Sequence, residues 1–164
     1  MNLDASSTGR RLPAAEATHA WRFDHVNVSM GSDQALRRLF GDVMGLQTGY
    51  RPPFPFPGQW LYAGDQAVVH AVDDPGLSAV TGELRFGHIA FSSEQPASQL
   101  SERLRRSGLQ FKVARLPEER IAQIFVLLPG GFVVELGVPD DLGSSADHDH
   151  RYSTSQASPG AGNF

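Results

Sequence analysis

Three histidines and one glutamate stand at matching points of a sequence that repeats itself once. The segment Phe-Asp-His-Val at 23–26 returns as Phe-Gly-His-Ile at 86–89, and the segment 60–70 returns as 125–135. The polar side chains that the two copies place at equivalent positions are His25, His70, His88 and Glu135. Imidazole and carboxylate groups together suit a divalent metal ion. The residue types and their spacing therefore predict a metal centre with these four side chains as ligands.

Strand alternation predicts that the four side chains point to one side of a sheet. Within residues 22–29, His25 shares a face with Asn27, whereas Val26 and Val28 lie on the opposite face and would cover a helix. The other three polar residues fall on the corresponding face of their own strands. A lone histidine on a half-buried strand is usually a hydrogen-bonded structural residue. Four such groups on one inner face are harder to explain as core, because burying them unpaired costs several kcal/mol.

Each copy is predicted to contain one amphipathic helix after its first strand. In the first copy Ser32 caps a helix that ends at Gly45, and in the second copy a helix begins near Pro96 and ends at Gly108. Apolar residues at helical spacing support both helices: Leu36, Leu39, Phe40, Val43, Met44, Leu100 and Leu104. Each copy then reads strand, helix and three strands. Two such βαβββ modules predict an α+β fold with a curved, mostly antiparallel sheet around a metal-containing cavity.

Composition predicts one globular domain between two tails. The chain has 164 residues, of which 40% are apolar and 20% charged, so it can bury a sizeable core. We expect a domain over 21–138, with modules at about 21–74 and 83–138. Residues 1–20 and 139–164 lack apolar periodicity and are rich in small and polar residues, so disorder is expected there. His148 and His150 fall in the second tail and are assigned to it as solvated residues.

Charge and cysteine content narrow the class of partner. The net charge is −4 and the arginines are scattered, so nucleic acid is not an expected partner. The absence of cysteine excludes disulfides, thiolate ligands and a cysteine nucleophile. No segment has the length and hydrophobicity of a signal peptide or a membrane span. The sequence therefore predicts a cytoplasmic protein that acts on a small molecule and not at a membrane.

Substrate contacts are predicted at three places. The loop at 51–58 contains four prolines, and it is either a rigid connector or a lid whose Phe54 walls an apolar pocket. Tyr62 either packs in the core or offers its hydroxyl to a bound oxyanion. Arg115 and Gln123 flank the equivalent region of the second copy and are candidates for holding an anionic group, with a solvated role as the alternative for Arg115.

The arrangement resembles the vicinal oxygen chelate superfamily, which includes glyoxalase I, methylmalonyl-CoA epimerase, extradiol dioxygenases and bleomycin-binding proteins. The resemblance covers about residues 21–138 and rests on the repeated order of elements and on the Val-Val-Glu-Leu strand at 133–136. It implies that His25, His88 and Glu135 occupy the shared metal positions. His70 matches a fourth position, which holds glutamate in glyoxalase I and glutamine in the epimerase. The resemblance also implies a homodimer.

Two catalytic hypotheses follow from this ligand set. In the first, one divalent ion per chain (Ni, Zn, Co, Mn or Fe) is held by all four residues and polarises a carbonyl of a substrate that chelates it through neighbouring oxygens. Glu135 shuttles the proton, as in a glyoxalase-like lyase or isomerase. In the second, His25, His88 and Glu135 form the triad typical of Fe(II) oxygenases, and His70 is an acid or base outside it, as in an extradiol-type dioxygenase. A third alternative is a metabolite- or antibiotic-binding module without catalysis.

Overall fold

The computed structural model describes residues 20–143. The disorder predicted for most of both tails, and the histidines of the second tail, lie outside these residues. The first module consists of β1 (Arg22–Met30), α1 (Gln34–Leu36), a π-helix (Arg37–Val43), β2 (Gln47–Thr48), β3 (Gly58–Ala63) and β4 (Gln66–Asp73). The second consists of β5 (Leu84–Ser92), α2 (Ala97–Ser107), β6 (Gln110–Leu116), β7 (Ile121–Leu128), a 3₁₀ turn (Pro129–Gly131) and β8 (Phe132–Pro139).

All eight strands form one sheet in the order β2-β3-β4-β1-β5-β8-β7-β6. Each module has one parallel pair, between β1 and β4 and between β5 and β8, and its remaining pairs are antiparallel. The first strands of the two modules, β1 and β5, pair antiparallel and join the halves. The predicted α+β fold of two paired βαβββ modules is confirmed, and the pairing takes place within a single chain.

The helices lie on one face of this sheet and bury two apolar clusters. Leu100 and Leu104 of α2 pack with Ile124 and Val126 of β7, as their helical spacing predicted. Leu36 of α1 packs with a second cluster formed by β1, β3 and β4. Among residues 20–143, no helix is long and apolar enough to cross a membrane.

The first helix differs from the regular helix that its apolar spacing predicted. After one turn it continues as a π-helix over Arg37–Val43, and its N-terminus at Asp33 has no side-chain cap. A wider turn carries residues spaced for 3.6 per turn away from the sheet. Leu39 is therefore 50% exposed, Val43 77% and Met44 55%, although all three had been expected to face the core.

The docked part of the chain extends past the predicted boundary at Val138. Asp141 accepts a hydrogen bond from the backbone N–H of Ser98 at 2.8 Å and one from the Ser98 hydroxyl at 2.5 Å. Leu142 packs against the cluster under α2. These contacts tie residues 140–143 to the second module, whereas the sequence had placed them in a disordered tail because no apolar period marks them.

Candidate metal centre

Two β-bulges position the first two candidate ligands. Where β1 pairs with β5, the extra residue of β1 falls within Asp24–His25, and the extra residue of β5 is Gly87, which precedes His88. A bulge bends the strand, increases its twist and re-aims a side chain. Because both bulges stand at the same point of the repeat, the two strands present their histidines to one centre from adjacent positions in the sheet.

His25, His88 and Glu135 form one buried group. The Oε2 atom of Glu135 lies 2.8 Å from Nε2 of His88 and 3.6 Å from Nε2 of His25. The side chains contribute ligand atoms that all lie within 4.8 Å of one another, and none of the three residues is more than 4% exposed. The three side chains come from β1, β5 and β8 of one chain.

The donor set fits a metal ion because its buried nitrogens lack other partners. Nε2 of His25 and Nε2 of His88 are inaccessible to solvent and have no hydrogen-bond partner among the described residues. Nε2 of His88 instead lies 2.8 Å from Oε2 of Glu135, the third member of the group. Unpaired buried polar atoms are rare in folded proteins and call for an explanation such as an ion.

Contacts with neighbouring side chains hold two of the three candidate ligands in place. Nδ1 of His25 lies 2.8 Å from Oδ1 of Asp24, which directs Nε2 of the same ring into the centre. Gln123 donates from Nε2 to Oε1 of Glu135 at 2.8 Å and leaves Oε2 toward the histidines. Carboxylate–histidine pairs of this kind fix the tautomer and orientation of metal-binding imidazoles.

The charges of the metal-free group are coupled. Burial alone would lower the pKa of His25, but its contacts with Asp24 and Glu135 raise that pKa to about 9. Burial alone would raise the pKa of Glu135, but the neighbouring His25 and His88 hold it far below its usual value. Without a metal, the site therefore contains an ionised Glu135 and a protonated His25 at neutral pH.

His70 lies beside this group and not within it. Its ring stacks between the rings of His25 and Trp60, with centroid distances of 3.5 and 3.7 Å. Its Nε2 is buried without a hydrogen-bond partner. Burial, with a contribution from the charge of His25, lowers the pKa of His70 to about 3, so the ring is neutral at physiological pH. Its predicted role as a fourth ligand stays a prediction.

A small cavity of about 40 Å³ adjoins the four side chains. Of the four residues predicted to contact substrate, Phe54 and Gln123 line it. Tyr62 and Arg115 are not among its lining residues. The Tyr62 hydroxyl donates to the backbone carbonyl of Tyr50 at 2.7 Å, and the guanidinium of Arg115 donates from Nε to Asp140 at 2.6 Å.

Three residues that sequence reasoning did not assign belong to the site. Asp24 was missed because regular alternation points it away from His25, and only the bulge brings the two together. Asn27 lines the cavity and shares the predicted inner face, so its alternation with Val26 was a sufficient signal. Arg51 also lines the cavity, but it stands in an irregular loop where no periodicity predicts direction.

No protein-family model and no curated protein matches the sequence. Solved structures do. The methylmalonyl-CoA epimerase from Mycobacterium tuberculosis matches at 18% identity and a TM-score of 0.52, over 79% of this chain and 93% of that one. A Mn(II)-bound glyoxalase from Novosphingobium aromaticivorans matches at 18% identity and a TM-score of 0.53, over 71% and 38%. A catechol 2,3-dioxygenase matches at 19% identity and a TM-score of 0.54, over 71% and 40%. The chain thus spans about 40% of the length of that dioxygenase.

Proposed function

Because the chain has the fold of the vicinal oxygen chelate superfamily, we propose that it is a metal-dependent enzyme for a small substrate with two neighbouring oxygens. The reaction that the geometry supports best is extradiol-type dioxygenation of a catechol. One observation carries this choice: the compact group contains two histidines and one carboxylate, and His70 stands outside it. Two histidines and one carboxylate with open positions are typical of non-haem Fe(II) oxygenases.

His25, His88 and Glu135 would hold the ion, and His70 would handle the proton. A bound ferrous ion would supply the redox chemistry that the reaction of a catechol with O₂ needs. The buried Nε2 of His70 has no hydrogen-bond partner among the described residues, so it is the atom that would accept the proton of a substrate hydroxyl. Stacking on Trp60 fixes the plane of that ring. Both atoms of O₂ end in the ring-cleaved product, so the reaction needs no additional reductant.

A catechol ring requires the cavity to open. About 40 Å³ accommodates a few water molecules and not an aromatic ring. The wall formed by Phe54 and Phe56 belongs to the loop between β2 and β3, and both side chains are only half-buried. We therefore place substrate entry at this loop, with the two rings moving outward together.

A glyoxalase-like lyase or isomerase is the second candidate. The observation that favours it is the buried Nε2 of His70, which has no hydrogen-bond partner among the described residues. Coordination of the metal by this atom, as a fourth ligand, would satisfy it. In that case Glu135 would loosen from the ion and move the proton, and Ni²⁺, Zn²⁺, Co²⁺ or Mn²⁺ would serve. The intact ligand set is the reason for preferring either enzyme to a binding module. The homodimer and the cytoplasmic location stay predictions from the sequence.

The two enzyme hypotheses are separated by metal titration and oxygen uptake in the same variants. We expect Fe²⁺-loaded protein to consume O₂ and a catechol in equal amounts. His70→Ala should bind Fe²⁺ nearly as the wild type does, yet lose turnover by about 10²- to 10⁴-fold. His88→Ala is the control for a lost ligand. Equal loss of metal affinity in His70→Ala and His88→Ala would overturn the dioxygenase in favour of the four-ligand lyase. No bound metal in the wild type would leave only the binding module.

A further inference from the structure

We propose that Arg51 forms an anion-binding subsite beside the candidate metal centre. The substrate is then an aromatic ring that carries a carboxylate. This inference rests on the proposed function, in which two neighbouring oxygens of the substrate bind the metal. It adds a carboxylate as the group by which the protein recognises that substrate. Apart from the histidines, the charged side chains of the cavity wall are those of Glu135 and Arg51.

The guanidinium of Arg51 is held in place but retains an unused donor. Nη2 donates to the backbone carbonyl of Phe56 at 2.9 Å. Cζ lies 4.9 and 5.0 Å from the ring centroids of Phe54 and Phe56, which stack on each other. Nε is buried and has no hydrogen-bond partner. A buried donor without a partner costs about 1–3 kcal/mol, which an acceptor on a ligand would recover.

No carboxylate of residues 20–143 forms an ion pair with this guanidinium. This separates Arg51 from Arg115, whose Nε is paired with Asp140. Glu135, the carboxylate in the same wall, is already in contact with His88 and Gln123. Asp73 favours the charged form of Arg51 from beyond ion-pair distance. The guanidinium can therefore still pair directly with a ligand, and its planar shape matches a carboxylate through two parallel hydrogen bonds.

The rest of the wall selects the remainder of the substrate. A divalent ion more than neutralises Glu135, and Arg51 adds a further positive charge. The cavity then favours a ligand with a negative charge in addition to the one it brings to the metal. The same cavity wall contains the rings of Phe54, Trp60 and His70. Aromatic walls favour a flat ring through stacking and edge contacts.

Calorimetric titration of the full-length protein loaded with redox-inert Zn²⁺ tests the subsite without turnover. The probes are catechol, 3,4-dihydroxybenzoate and benzoate. We expect the wild type to bind 3,4-dihydroxybenzoate about 10- to 100-fold more tightly than catechol, as a charge-assisted pair provides. Arg51→Met should abolish this preference, so that it binds 3,4-dihydroxybenzoate and catechol with equal affinity. Arg51→Lys, which keeps the charge without the planar fork, should retain part of it. The exposed Arg38→Met is the matched control and should behave as the wild type.

The probes distinguish failure of the subsite from failure of the proposed function. If catechol does not bind, but benzoate binds to the wild type and not to Arg51→Met, the anion subsite is supported and the catechol substrate is wrong. Equal binding of catechol and 3,4-dihydroxybenzoate by the wild type would overturn the subsite. A preference that survives Arg51→Met would overturn it as well, and so would a wild type that binds neither carboxylate.

Discussion

The two modules share one backbone plan but provide different parts of the site. The second module supplies His88, Glu135 and the Gln123 that orients the carboxylate. The first module supplies His25 and, at the position equivalent to Glu135, the stacked His70. The repeat therefore brings four side chains to one centre, and the residue types at equivalent positions differ between the two modules.

The corresponding connections of the two modules also differ in what they contribute to the site. In the second module, β6 and β7 are long strands joined by a turn at 117–120. In the first module the corresponding strand β2 has only two residues, and the chain from 49 to 57 instead forms a loop that contributes to the cavity wall. Where the second module has a long strand, the first module therefore has a loop whose residues line the cavity.

The largest expected effect comes from removing the carboxylate of Glu135, whose equivalent in the first module is His70. Glu135→Gln should weaken metal binding by more than the roughly 10- to 100-fold that follows loss of an outer partner, because the substitution removes a ligand charge. Titration with Zn²⁺ and Mn²⁺, followed by native mass spectrometry, measures this. The matched control is Glu119→Gln, in an exposed turn. Metal affinity equal to that of the control would show that the ion is held elsewhere.

Proton release on metal binding tests the raised pKa of His25, the ligand candidate that the first module supplies. The pKa of His25 is raised to about 9, chiefly by Asp24 and Glu135 against the effect of burial, so a metal must displace its proton at pH 7. Apparent metal affinity should then rise about tenfold per pH unit up to pH 9 and level off above it. In the metal-free protein, His25 binds its proton more strongly in the folded state than in the unfolded state. The protonated ring therefore stabilises the fold at neutral pH, and this stabilisation should be lost as the pH rises through about 9.

Calorimetry in buffers of different ionisation enthalpy counts the protons released. About one is expected at pH 7.5 from His25, given its raised pKa. His70→Ala is the control, because the pKa of His70 is lowered to about 3 and the ring has no proton to lose in this range. An affinity independent of pH between 7 and 9 would contradict the ion pair of His25 in the metal-free site.

The β-bulge at Gly87 should be less tolerant of a side chain than the regularly paired strand position at Gly137. A Cβ at Gly87 would lie 2.2 Å from Oδ1 of Asn27, whereas one at Gly137 would have its nearest neighbour at 3.8 Å. Gly87→Ala should therefore destabilise the fold by about 1–3 kcal/mol and weaken metal binding, because Asn27 and the bulge must shift. Urea unfolding compares it with the control Gly137→Ala. Equal stability of the two variants would mean that Asn27 moves aside without cost.

Sequence alone predicted what depends on repetition and alternation. The inner face of the sheet, with His25, His88 and Glu135, follows from a period of two along each strand. Asp24 could not be predicted, because a bulge reverses the alternation on which the prediction rests. The π-helical segment has the apolar spacing of an α-helix, so the sequence did not indicate that its apolar side chains would be exposed. Arg51 lies in a loop whose course depends on contacts with Phe54 and Phe56 that no local pattern encodes.

The smallest expected effect concerns the start of the two helices. Pro96 offers no side-chain acceptor at the start of α2, and Asp141 caps the helix from a distant position by accepting the Ser98 N–H. Asp33 stands at the start of α1 without capping it and instead pairs with Arg37 at the surface. Asp141→Ala should lower the free energy of unfolding by about 0.5–2 kcal/mol, as loss of a cap does. Asp33→Ala should change it by less than about 1 kcal/mol, the upper range for an exposed ion pair. Thermal and urea unfolding of both variants measure the difference, and a larger loss in Asp33→Ala would show that the first helix depends on this aspartate more than its geometry indicates.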